Sequence, residues 1–253
     1  MNSYILAETN WKTIKDLEIN LAVLPWGATE AHNYHLPFST DNIMVEKIAI
    51  ESAGFAWEKG AKVIVLPTIP FGVNTGQMDI QLNINMNPTT QFAVLNDIAD
   101  VLNRLGIYKF LILNGHGGND FKPMIRELGL RFPKMFISAC NWYKSFSNSD
   151  FFVNDGGHAD EMETSIMQYL APELILPLKE AGEGKGKKFK IKALNENWAW
   201  AERKWSQVTR DTGIGDPSEA TPEKGEKCFK EVVRKIAGLM IELSEADIDD
   251  LYE

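Results

Sequence analysis

Tyr108-Lys-Phe-Leu-Ile-Leu113 runs directly into Asn114-Gly-His-Gly-Gly-Asn119, and residues 121–131 beyond it read as a helix. A short continuous apolar run, a glycine-rich loop and a helix form one unit of a sheet that is buried on both faces. The same alternation recurs on either side. Residues 19–25 (INLAVLP), 62–67 (KVIVLP) and 134–140 (KMFISAC) read as three further strands, and residues 42–59, 90–105, 160–170 and 222–243 as helices. Within 42–59, Met44, Val45, Ile48 and Ala49 fall on one helix face. The pattern predicts an α/β fold, with a mostly parallel sheet covered by helices on both sides. No internal repeat or low-complexity tract divides residues 1–253, so a single domain is expected. In such sheets ligands bind beyond the carboxyl ends of the strands. The loops holding Glu30, His32, His116 and Trp142 fall there.

Composition narrows the functional classes. The net charge of -9 over 253 residues argues against nucleic-acid binding, which needs a basic surface. No run reaches the ~18 apolar residues of a membrane span, and MNSYILAETNWK lacks the basic-then-apolar pattern of a signal peptide, so a cytoplasmic protein is expected. Two cysteines, Cys140 and Cys228, make no disulfide framework and read as reduced, packed thiols. Residues 179–192 (KEAGEGKGKKFKIK) read as an exposed loop. Residues 199–209, with Trp200 and Trp205, are candidates to line a pocket or an interface.

All four histidines lie in three polar segments. Neutral imidazole is the commonest metal ligand and the usual acid–base group near neutral pH. Glu30 and His32, two apart just past a strand, face one side of an extended backbone and can converge on one ion. Asp41 precedes a predicted helix and suits either an N-cap or a metal ligand. The glycines around His116, including Gly117 and Gly118, permit close backbone approach and positive φ. A phosphate cradle is the rival reading of that loop, though it matches neither common phosphate-binding glycine pattern. His158 and Glu161 are spaced i, i+3 on a predicted helix start, which makes Glu161 the ligand candidate there. Glu163 lies about 200° round the helix from Glu161. It is assigned a supporting hydrogen bond or salt bridge.

Together these segments resemble the creatininase family of creatinine amidohydrolase-like metal hydrolases. Glu30-x-His32, His35-Leu-Pro and Asp41 look like the family's first segment. Asn114-Gly-His-Gly-Gly-Asn119 looks like its metal loop, and His158-Ala-x-Glu161-x-Glu163-Thr-Ser like its third segment. Gly213-Ile-Gly-Asp-Pro-Ser-Glu-Ala-Thr-Pro-Glu-Lys-Gly225 looks like its C-terminal block. The resemblance implies a three-layer α/β/α sandwich and two divalent ions, zinc first, with manganese or iron as alternatives. Glu30, His32, Asp41 and His116 would be ligands, with Asp41 bridging, and His158 the proton donor to a leaving nitrogen. His35 would shape the site through hydrogen bonds, and Trp142 would stand for a pocket tryptophan. The implied reaction is attack of metal-activated water on a small cyclic or linear amide. A homo-oligomer, often a hexamer, is also implied, with the final helix and residues 198–205 as candidate contact surface.

The chain departs from that pattern in three places. Gly118 stands where the creatinine-cleaving branch has a carboxylate ligand, and Glu161 is the candidate to replace it. Asn154 replaces a tryptophan. Gln77 and Asn87 occupy a segment, 76–90, that lacks the usual histidine and Pro-Gly-Thr. Creatinine itself is therefore not the expected substrate. A deformylase or peptide-trimming relative, a non-catalytic metal- or ligand-binding protein, and a phosphate-binding module remain as alternatives.

Overall fold

The computed structural model describes residues 2–253. Four strands form one parallel sheet: β1 (Leu21–Trp26), β2 (Val63–Val65), β3 (Lys109–Asn114) and β4 (Phe136–Asn141), in the order β2-β1-β3-β4. The helices are α1 (Trp11–Ile14), α2 (Thr40–Glu58), α3 (Pro88–Arg104), α4 (Lys122–Arg131), α5 (Glu161–Leu170), α6 (Lys192–Asn195), α7 (Trp205–Val208) and α8 (Pro222–Glu245).

Side-chain alternation along the strands separates two cores. Leu21, Val23, Val63, Val65, Leu111 and Leu113 face α2, α5 and α8. Ala22, Leu24, Trp26, Ile64, Phe110 and Ile112 face α3 and α4. Since successive residues of a strand point to opposite faces, an apolar residue at nearly every position requires a helix layer on each side. This is the expected α/β/α sandwich. The apolar face of α8, from Cys228 through Met240, is buried in the first core, which corrects its reading as an assembly surface. Cys140 and Cys228 are free, as expected. Among the described residues no helix is long and apolar enough to cross a membrane.

Strand order places the site. The chain leaves β1 toward β2 on one side and returns to β3 on the other. The connections from β1 and β3 therefore diverge at their carboxyl ends, and a crevice opens at that switch point. Residues 27–41 and 115–119 emerge into it.

Candidate metal centre

Three imidazoles and three carboxylates converge in the crevice. His116 Nδ1 lies 3.0 Å from both Glu30 Oε1 and Asp41 Oδ2. His32 Nε2 lies 3.3 Å from Asp41 Oδ1 and 3.9 Å from Glu163 Oε2. His158 Nδ1 is 3.7 Å from Glu30 Oε1. The two oxygens of Asp41 thus serve different histidines. This divides the cluster into Glu30–Asp41–His116 and His32–Asp41–Glu163, and in each set one donor atom per residue falls within 4.8 Å of the others. Glu30, His32 and His158 form a third such set.

The remaining ring nitrogens are all tied to backbone. His32 Nδ1–H donates to the Glu30 carbonyl at 3.0 Å, His116 Nε2–H to the Val73 carbonyl at 3.0 Å, and His158 Nε2–H to the Ala31 carbonyl at 2.8 Å. A carbonyl can only accept, so each bond fixes a hydrogen on that nitrogen and aims the other nitrogen at the cluster, where it can ligate once it gives up its own proton. Metal-binding histidines are oriented in this way. Mixed nitrogen and oxygen donors around a shared carboxylate suit zinc, manganese or iron, so the donor set fits the implied ions.

The electrostatics agree. Burial opposes charge on His32, yet Asp41, Glu163 and Glu30 raise its pKa to about 10. His116 is raised well above its usual range against the same burial penalty by Glu30 and Asp41. Burial would raise Asp41 and Glu30, but the neighbouring histidines hold both below the usual carboxylate range. Protons on the imidazoles are here balancing buried negative charge, a role a divalent cation fills better.

Local structure explains each position. Asp41 is not an N-cap, because α2 begins at Thr40 after Ser39 and the Asp41 carboxylate turns to the histidines. Gly118 allows tight packing rather than an unusual turn, since a Cβ there would sit 2.3 Å from the Val73 carbonyl and 2.5 Å from His116 Nε2. Of the two features glycine permits there, close approach is the one used: neither Gly118 nor Gly117, which lines the cleft, has a positive φ. His35 stays out of the cluster. Its Nε2 pairs with Thr164 Oγ1 at 2.9 Å, and burial together with the charge of His32 lowers its pKa to about 4.

The third segment requires a correction. Glu161 does not reach the cluster. Its Oε1 accepts from Lys224 Nζ at 2.6 Å, and its Oε2 accepts from the Val153 and Asn154 N–H groups at 3.1 and 2.7 Å. Glu163 is the carboxylate that enters, and its Oε2 also accepts the Ala159 N–H at 2.5 Å. His158 precedes the helix rather than belonging to it: Ala159 has φ +50°, Asp160 is the N-cap, and Glu161 is the first helical residue. The i, i+3 relation between His158 and Glu161 therefore does not hold. The C-terminal block fixes this turn. Ile214 pairs with His158 through backbone bonds of 3.1 and 2.8 Å, and Gly225 lets α8 cross α5 where a Cβ would meet the Ser165 carbonyl at 1.9 Å.

Trp142 also departs from expectation. In the turn after β4 it points into the core, stacked on Phe146, while Tyr143 and Phe146 line the cleft. Burial, Asp41 and Glu163 push the Tyr143 phenol up to about 12, which keeps it protonated. Trp205 does line the cleft, edge-on to His158 at 5.4 Å, as one of the two alternatives for residues 199–209 anticipated. The departures at Gln77 and Asn87 differ in consequence. Gln77 Nε2 donates to Glu30 Oε2, and its Oε1 accepts from Asn83 at 2.5 Å. Asn87 sits at the start of α3, bonded to Asn85. The cleft has a volume of about 1180 Å³.

The family model for creatinine amidohydrolase matches residues 7–240. A crystal structure from Bacteroides fragilis NCTC 9343, provisionally assigned as a creatinine amidohydrolase, is 44% identical with a TM-score of 0.93, covering 100% of both chains. A mycofactocin precursor peptide peptidase from Mycobacterium ulcerans (strain Agy99) is 25% identical over 218 residues, 83% of this chain and 80% of that protein. Creatininases described as a zinc–zinc form and a manganese form share the fold at 19% identity. Their TM-scores are 0.75 and 0.76, covering 97% and 96% of this chain and 100% and 99% of theirs.

Proposed function

The chain belongs to the creatininase family, and from that membership we propose that it is a two-metal amidohydrolase cleaving a C–N bond of a small amide other than creatinine. The single observation that carries this is the Asp41 carboxylate, with one oxygen on each side of a cluster whose three histidines are all tethered to carbonyls. Glu30, Asp41 and His116 would hold one ion, and His32, Asp41 and Glu163 the other. Zinc is the first choice, with manganese or iron as alternatives. When bound, such ions activate water and polarise a carbonyl oxygen.

The chain's own groups supply the rest. Gln77 holds one oxygen of Glu30 and leaves Oε1 to the cluster. His158, fixed by the Ala31 carbonyl and the edge of Trp205, takes at Nδ1 the proton released by the attacking water and passes it to the departing nitrogen. The protonated Tyr143 phenol offers a hydrogen bond to a polar substrate atom. A second reading, trimming of a short peptide, is favoured by a cleft larger than one small ring needs. A homo-oligomer is proposed through the exposed Trp198 region rather than α8.

The test is a panel of formamides, lactams and short peptides given to metal-loaded protein, beside a His158→Ala variant of unchanged fold and metal content. Turnover should fall about 10²–10⁴-fold in the variant. Full activity in that variant would remove His158 from the chemistry, and an inert wild type across the panel would favour a non-catalytic binding protein.

Metal uptake should also release protons. Because His32 and His116 are held charged at neutral pH in the metal-free protein, and ligation needs them neutral, loading at pH 7.5 should free about two protons per chain. Affinity should accordingly rise with pH. Calorimetry in buffers of different ionisation enthalpy measures this, and a buffer-independent heat would contradict the proposed ligand roles.

A further inference from the structure

The cleft around the cluster is lined by one lysine or arginine among the described residues, Arg203. Its guanidinium lies over the Trp205 ring, 4.6 Å from the centroid, and the same ring makes the edge-on contact to His158. Arg203 is thus one aromatic ring removed from the proposed proton donor. It makes no ion pair or side-chain hydrogen bond among the described residues. Two carboxylates on this wall are otherwise engaged: Glu202, next to Arg203 in the chain, accepts from Thr75, and Asp79 accepts from Ser206. Those two bonds also fasten residues 202–206 to the 75–79 turn, so the arginine sits on an anchored wall. Arg203 itself is exposed, so a ligand can reach its guanidinium directly from solvent. The exposed lining of the cleft otherwise carries the acidic Asp120, Glu127 and Asp155, which disfavour an anion beside them.

A guanidinium stacked on an aromatic ring is oriented in advance to meet a carboxylate with two parallel N–H bonds. Accepting the amidohydrolase reading above, we propose that Arg203 anchors a free carboxylate on the substrate, so that the preferred substrates are linear amides of amino acids or short peptides with a free carboxyl end. The scissile C–N bond lies at the metal cluster, and the carboxylate lies beyond His158 against the Arg203–Trp205 pair. A neutral lactam fills the first position and leaves the second empty.

Two measurements on the metal-loaded full chain test this. In the first, N-formyl and N-acetyl amino acids and dipeptides are each compared with the matching C-terminal carboxamide. The free acids should be favoured about 10- to 100-fold in kcat/KM, the range of a charge-assisted hydrogen-bond pair. Arg203→Gln should bring that ratio to within about threefold with the change in KM, and Arg203→Lys, a point charge without the fork, should keep part of it. Equal turnover of acid and carboxamide by the wild type, or an unchanged ratio in Arg203→Gln, overturns the proposal.

The second measurement does not depend on turnover. Binding of N-benzylglycine and N-benzylglycinamide, which lack a bond to cleave at that nitrogen, is followed by calorimetry in wild type and Arg203→Gln. Tighter binding of the acid that disappears in the variant upholds the subsite, even if every amide proves inert and the hydrolase reading falls. Equal binding of the two probes by the wild type, or an acid preference that survives in Arg203→Gln, overturns it.

Discussion

Asp41→Asn is expected to reduce metal content from two equivalents to at most one and to lower turnover by about 10³-fold. The argument is geometric. Oδ1 faces His32 at 3.3 Å and Oδ2 faces His116 at 3.0 Å, so neither half of the cluster has a substitute for it. Asparagine keeps one oxygen, puts an amide N–H₂ on the other side, and removes the negative charge. A metal contributes several kcal/mol of transition-state stabilisation, and about 4 kcal/mol corresponds to about 10³ in rate. The fold should survive, because Asp41 forms no cap and the apolar face of α2, from Met44 to Ala56, packs without it. Metal analysis, turnover on the preferred amide and circular dichroism together decide the matter. Two equivalents of metal in a folded variant, or turnover within tenfold of wild type, would refute a bridging role.

The sheet and its layers were legible because β1 and β3 are apolar at almost every position, a pattern only a doubly covered parallel strand needs. Glu30, His32 and His116 were legible for a related reason: they directly follow such strands, at the end where ligands bind. The third segment was not. Reading His158 and Glu161 on one helix face assumes that the helix already runs at His158. The positive φ of Ala159 and the Asp160 cap move its start to Glu161, which sends Glu161 toward Lys224 and brings Glu163 to His32. Local spacing does not reveal a turn held from outside, and this one is held by Ile214, far along the chain. Gln77 was noticed as a departure, but its partner Glu30 is 47 residues away and only the folded chain joins them. Trp142 and Tyr143 exchange roles for a similar reason, since the turn after β4 decides which ring enters the core.

That exchange between the two glutamates yields a pair of opposite expectations. Glu163→Gln removes a donor from the His32 side, so it should lose one metal equivalent and most activity while the metal-free protein melts within a few degrees of wild type. Glu161→Gln should keep both equivalents. The cost at Glu161 is one of stability: its side chain is fully buried, tied to Lys224 and two backbone N–H groups that join the 153–154 loop to α5 and α8. Removing the partner is worse than removing the carboxylate, because a buried charge then stands unpaired. Lys224→Met should therefore cost about 3 kcal/mol, the low end for a broken buried pair given the two N–H bonds that remain. In a chain of this length that is a fall of about 6–12 °C in Tm. Glu161→Gln should fall less, since the half-buried Lys224 ammonium can turn to water. Melting curves of the metal-free variants, with metal stoichiometry of the loaded ones, separate the two roles. If Glu161→Gln loses metal and Glu163→Gln does not, the ligand reverts to Glu161 and the helix start argued above is wrong.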